Sequence, residues 1–148
     1  MKLINLSWII IFTYILSFFI YARAEENRWK LYFTTSDGDE YYYDTISIDR
    51  SSKKISKTYK RGSRNYKRYI KAVFVKVRER IVLNKPDNKL KEVRILRQFD
   101  CSKKTVRTLM VEEFYKNGLH KIEGKIRPWD NIGLNPRLEA LYGIICKS

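Results

Sequence analysis

From Arg50 to Arg78 the chain carries no acidic residue, while Lys53, Lys54, Lys57, Lys60, Arg61, Arg64, Lys67, Arg68 and Lys71 accumulate and Tyr59, Tyr66 and Tyr69 fall among them. Cationic side chains beside aromatic faces hold a phosphate or sulfate chain electrostatically and stack on its sugars or bases. The chemistry this stretch offers is recognition of a polyanion, or of a protein partner. The plainer alternative is a short strand, Ile55 to Tyr59, running into a solvated basic loop around Gly62-Ser63 whose charge serves solubility.

No stretch announces a reaction. His120 is the single histidine, no nucleophile stands beside it, and the carboxylates are scattered, so a small hydrolase lacks its nucleophile, base and orienting group. His120 reads as an exposed loop residue. Asp37-Gly38-Asp39-Glu40 lacks the regular oxygen spacing and distal glutamate of a calcium loop, and the chain offers no ligand set for zinc. No catalytic residue, metal or cofactor is expected.

Two cysteines, Cys101 and Cys146, raise the question of compartment. Met1-Lys2 gives a minimal positive start, residues 3–22 contain no charged side chain, and Ala22-Arg23-Ala24 places small residues where a signal peptidase reads them. Residues 1–24 are therefore expected to be a signal peptide, with a single domain over 25–148. The competing reading is an uncleaved anchor, which Asn5, Ser7, Thr13 and Ser17 weaken. In an oxidising compartment the cysteines are expected to pair, the alternative being two separate buried thiols.

The whole chain has a formal net charge of +15. Without Lys2 and Arg23, 29 basic residues stand against 16 acidic ones, a balance of +13 for the expected mature domain. Such a charge favours anionic company: acidic glycans, anionic lipid, lipopolysaccharide, cell-wall polymer or acidic proteins. An exported location argues against nucleic acid. Aromatic residues at 14% are too many for a disordered basic tail, so a folded core is expected.

The elements that position these residues follow from alternation. Trp29, Leu31 and Phe33 alternate with Lys30 and Tyr32, Ser36-Asp37-Gly38-Asp39 reads as a turn, and Tyr41 to Asp49 reads as the return strand with Tyr42, Ile46 and Ile48 on one face. Tyr69 to Leu83 is the longest expected strand, with Val73, Val75 and Val77 on one face and Phe74, Lys76 and Arg78 on the other. A hairpin loop at Asn84-Lys85-Pro86-Asp87-Asn88 leads into residues 90–101, where Val93, Ile95, Phe99 and Cys101 share the core face and Arg97 interrupts it near its edge. Thr105 to Tyr115 alternates again with Leu109 and Val111 inward, Asn117-Gly118 marks a tight turn, and Leu119 to Ile126 returns.

The period then changes. Asn135 can cap a helix, Pro136 suits its first turn, and Leu138, Leu141, Tyr142 and Ile145 form one apolar stripe bordered by Cys146. The fold class expected is α+β: a mainly antiparallel sheet of about six strands with a C-terminal helix packed on it. A helix laid on the sheet by that stripe brings Cys146 to Cys101.

Trp29 at the head of the domain, Tyr42-Tyr43-Asp44 with Ile46 and Ile48, Phe99-Asp100-Cys101 followed by Arg107 and Leu109, then Trp129, Pro136, Leu141 and Cys146, occur in an order that resembles the bacterial surface-adhesin protein E family. The resemblance spans essentially the whole expected domain. It implies a sheet packed by helix, a Cys101–Cys146 bridge, and a non-enzymatic role at the bacterial surface in holding host extracellular-matrix proteins. Two departures stand out: no cysteine able to accept lipid follows the apolar run, and the basic stretch from Lys53 to Lys71 is denser than the family suggests. The first opens an alternative, a periplasmic envelope-associated protein that uses its basic face on anionic lipid or cell-wall polymer.

Overall fold

A computed structural model describes residues 28–61, 64–85, 89–133 and 135–147, together with Ile11 and Tyr14. The expected signal peptide thus lies outside the described residues apart from those two positions, as do Gly62-Ser63 and Pro86-Asp87-Asn88. The strands are β1 (Trp29–Thr34), β2 (Glu40–Asp44), β3 (Asp49–Arg61), β4 (Arg64–Val82), β5 (Leu90–Asp100), β6 (Thr105–Tyr115), β7 (His120–Glu123) and β8 (Asp130–Asn131), followed by helix α1 (Pro136–Lys147). Six of the eight strands form one antiparallel path, β1-β2-β4-β5-β6-β7; β3 pairs with β4 and β8 with β6 beside it. This is the expected α+β architecture.

Alternation sets which face is buried. Val75 of β4 lies across from Phe99 of β5, which lies across from Val106 of β6, so these three form one row beneath the helix. Leu138, Leu141 and Ile145 of α1 close on that row together with Ile132, and Phe99, Leu141 and Ile145 are wholly buried. Each such side chain contributes about 1.5–3 kcal/mol relative to exposure. The helix starts as its sequence directs: the Asn135 side chain accepts the Leu138 amide at 3.2 Å and its carbonyl accepts the Glu139 amide at 3.0 Å. Tyr142 donates its hydroxyl to the Cys101 carbonyl at 3.0 Å, and Cys101 and Cys146 are bonded, their Cα atoms 5.5 Å apart. Crosslinking over a separation of 45 residues contributes about 4 kcal/mol in the chain-entropy account.

Beside the apolar row lies a buried charge. Glu79 is fully buried, and Arg97, expected near the edge of the core face, is only 9% exposed. The two sit on diagonally adjacent positions of β4 and β5 and meet at 2.6 Å. Tyr32 donates its hydroxyl to the same carboxylate, Arg137 of the helix lies 3.7 Å from it, and Arg97 donates onward to Thr108 of β6 at 3.3 Å. Burial, then the Glu79 charge, hold the Tyr32 phenol far above its ordinary value.

Irregular registers account for the places where simple alternation misleads. A shift between Leu31 and Phe33 leaves Leu31 52% exposed and packs Tyr32 against the core. The expected strand from Tyr41 to Asp49 breaks at Asp44, whose carboxylate accepts the Ile46 and Ser47 amides and turns the chain. In β6 a shift between the partners of Leu96 and Arg97 sets Leu109 out of phase, so Val106 and Thr108 face inward before it and Val111, opposite Ile95, after it.

Two tests follow. Cys101→Ser and Cys146→Ser should each cost about 2–5 kcal/mol in urea unfolding, and the double variant no more than either; losses that add would mean that the cysteines act separately. Arg97→Met should cost about 3–5 kcal/mol by stranding Glu79, whereas Glu79→Leu combined with it should recover part of that loss. A double variant as poor as the two losses summed removes the pairing from the account.

Candidate functional site

β4 is 19 residues long, and only its second half belongs to the main sheet. Pairing with β5 ends at Phe74–Asp100, whereas pairing with β3 runs on to Arg61–Arg64. Residues 53–61 and 64–72 thus leave the sheet as a two-stranded ribbon, about 30 Å long at 3.3 Å per residue. The expected basic loop is therefore a hairpin arm, with β3 longer than the Ile55–Tyr59 segment the apolar pattern suggests.

Residues directly opposed in such a ribbon share a face. The register puts Lys53, Lys57 opposite Arg68, and Arg64 on the face that continues the side of the sheet away from the helix. Ile55 and Ile70 lie between them, and Tyr59 stacks on Tyr66 at 5.7 Å. Lys54 opposite Lys71, together with Lys60 and Lys67, occupies the other face with Tyr69. Arg61 pairs with Arg64 at the described end of the arm. The nine basic residues are thus divided between two faces, because a strand reverses direction at every residue. At the root of the hairpin Asp49 lies 3.8 Å from Lys76.

Where the arm joins the sheet, a cleft of about 660 Å³ opens on the side away from the helix. Trp129 forms one wall, and its ring centre is 6.0 Å from that of Phe74. The segment that carries Trp129 is strapped along β6 by the Arg127 amide, which donates to the Thr108 carbonyl at 2.9 Å, and by pairing of β8 with Thr105 and Val106. The Arg107 guanidinium carbon lies 4.6 Å from the centre of the Trp129 ring, and the side chain donates from Nε and Nη2 to the Gln98 amide oxygen at 2.9 and 2.7 Å. Lys53 and Lys103 stand at the margin. Asp100 also lines the cleft, but it is buried and accepts the amides of Ser102 and Lys103 at 3.0 and 3.1 Å.

Further along the same side, Trp29 is surrounded by Arg28, Arg80 and Arg94, each within 5.8–5.9 Å of its ring. Arg94 also covers Phe114 at 4.6 Å, and His120, at the head of β7, stacks on Phe114 at 4.4 Å. Here the cations are engaged with acids: Glu92 takes Arg80 at 2.8 Å and Arg94 at 2.5 Å, and buried Asp44 takes Arg28 at 2.5 Å. Burial alone would raise the Asp44 carboxyl, but the Arg28 hydrogen bond and charge and the two amides outweigh it, so it titrates below the ordinary 3.8. The Asp37-Gly38-Asp39 turn is also occupied: Asp39 accepts the Asn84 amide and the Asp37 carbonyl accepts the Asn84 side chain.

The cleft is what sequence reasoning missed. Gln98 and Arg107 lie on alternating strands, where their partnership depends on register, and Trp129 sits in a segment with no periodicity to betray its docking on β6. A family model described as Surface-adhesin protein E matches residues 29–147. Neither the curated proteins nor the solved structures gave a match.

A carboxyl depressed on folding stabilises the protein fully above its unfolded value and ceases to do so as pH falls through the folded one. Asp44→Asn should therefore cost about 2 kcal/mol near neutrality, with the gap from the parent closing as pH drops below 3.8. Denaturant titration at several pH values measures it; a gap unchanged with pH removes the Arg28 pair as its cause.

Proposed function

The chain belongs to the surface-adhesin protein E family, and on that premise we propose that it is an exported, non-enzymatic adhesin that holds host extracellular-matrix proteins or acidic glycans through the β3–β4 arm. Membership supports an adhesin-like function in general terms; the arm supplies the particular chemistry. The observation that carries the reading is a ribbon with lysine and arginine on both faces and no carboxylate between Arg50 and Arg78. Such a ribbon lets a flexible anionic chain lie along either face or wrap around it. Stacked Tyr59 and Tyr66 give that chain an apolar surface between the charges. The signal peptide expected over residues 1–24 belongs to the same proposal, since it delivers the domain to where matrix is met.

Lys57→Glu, Lys60→Glu, Arg61→Glu and Arg64→Glu combined should lower heparin affinity at least about tenfold and flatten its salt dependence. Thermal unfolding should stay close to that of the parent, because these positions lie outside the buried cluster. Binding to laminin that persists in salt able to release heparin supports a specific protein surface. Equal heparin binding by parent and variant would assign the arm's charge to solubility and end this reading.

A further inference from the structure

We propose that the cleft at the root of the arm seats a single sulfated or carboxylated sugar ring, with Trp129 as its platform and Arg107 as its anion clamp. This deepens the polyanion reading of the arm: the ribbon recognises charge along a chain, and the cleft recognises one unit of it.

Three observations point to this ligand. First, Trp129 remains 39% exposed and Phe74 lies beside it, tilted by 43°, so two aromatic surfaces border the same space. Exposed aromatic surface that borders a concave site is suited to the flat C–H face of a sugar, which needs apolar contact on one side and hydrogen bonds around its rim. Second, Arg107 is set in place before any ligand arrives. Its guanidinium sits over the Trp129 ring at 4.6 Å, and one edge is fixed by Gln98. Among the described residues no carboxylate pairs with it, and its bonds to Gln98 use Nε and Nη2, so Nη1 can turn donors to a planar carboxylate or a sulfate. Third, Lys53 and Lys103 add positive charge at the rim, whereas the one acid in the lining, Asp100, is buried and satisfied by amides.

The contrast with the Trp29 cluster sharpens the assignment. There the arginines around the ring are neutralised by Glu92 and Asp44, so that group is closed structurally. Over Trp129, Arg107 has no such carboxylate partner among the described residues, and an anionic ligand fits that place. A volume of about 660 Å³ is ample for one or two sugar rings.

The test uses disaccharides, too short to occupy arm and cleft together: a sulfated heparin disaccharide and the glucuronate-containing disaccharide of hyaluronan. Each is titrated into the protein by calorimetry, with tryptophan fluorescence as a second readout. Binding of either supports the proposal, and the tighter one identifies sulfate or carboxylate as the better fit. Trp129→Ala and Arg107→Gln should each weaken that binding about tenfold or more, while Trp129→Phe retains most of it. The four-site arm variant should bind the disaccharide within about twofold of the parent. Unfolding curves verify that the cleft variants are folded. Failure of both disaccharides to bind, or unchanged binding by folded Trp129→Ala, overturns the proposal. If the arm variant loses the disaccharide while Trp129→Ala keeps it, the cleft is excluded and the arm reading survives; disaccharide binding that needs Trp129, with polymer binding indifferent to the arm variant, has the opposite meaning.

Discussion

A carboxylate with no access to water must find its partners inside the protein, and Glu79 finds them on three other elements. Tyr32 reaches it from β1, Arg97 from β5 and Arg137 from the helix, while Arg97 also engages Thr108 on β6. An unpaired buried charge costs more than most single packing contacts return, so the arrangement excludes alternatives. A slip of one residue in β4 would turn Glu79 toward the opposite face and strand Arg97 among apolar side chains. Apolar burial draws the helix onto the sheet, but it tolerates sliding. The ion pair does not.

That constraint shapes the functional surface. Because Val75, Val77 and Glu79 fix the second half of β4, the first half leaves the sheet at a defined place, with β3 as its only strand partner among the described residues. The same strand therefore belongs to the core at one end and to the arm at the other. The cleft lies where the two parts meet, since Phe74 is the last β4 residue to pair with β5. Arm and cleft share one side of the sheet, and a chain lying along Lys57 and Arg68 passes toward Trp129 without changing faces.

Much of the frame was legible in the residues. Alternation marked β5 and the core end of β4, Asn117-Gly118 marked the turn into β7, Asn135-Pro136 marked the start of the helix, and the cysteine positions suited a bridge between helix and sheet. Each is a local signal with a local cause. The arm was half read, because Ser51 to Lys54 and Arg64 to Arg68 have no apolar face to alternate, and backbone hydrogen bonds hold them as strands. The shifts at Tyr32 and Leu109 were invisible, since an extra residue leaves composition unchanged while reversing every side chain after it. Glu79 and Arg97 are 18 residues apart, and Trp129 meets Arg107 and Phe74 across three segments. Those partnerships exist only once register is known.

The opposed cations of the arm make its own order depend on its surroundings. Lys54 faces Lys71 and Lys57 faces Arg68 across a ribbon with little apolar burial to resist their repulsion. In dilute electrolyte the two strands push apart at every such rung; counterions, or the charges of a bound chain, relieve them. Salt thus acts in opposite senses, screening the attraction to a polyanion while firming the ribbon that makes it. A polyanion bound there, as proposed, would do the second without the first and would become part of the arm's own framework.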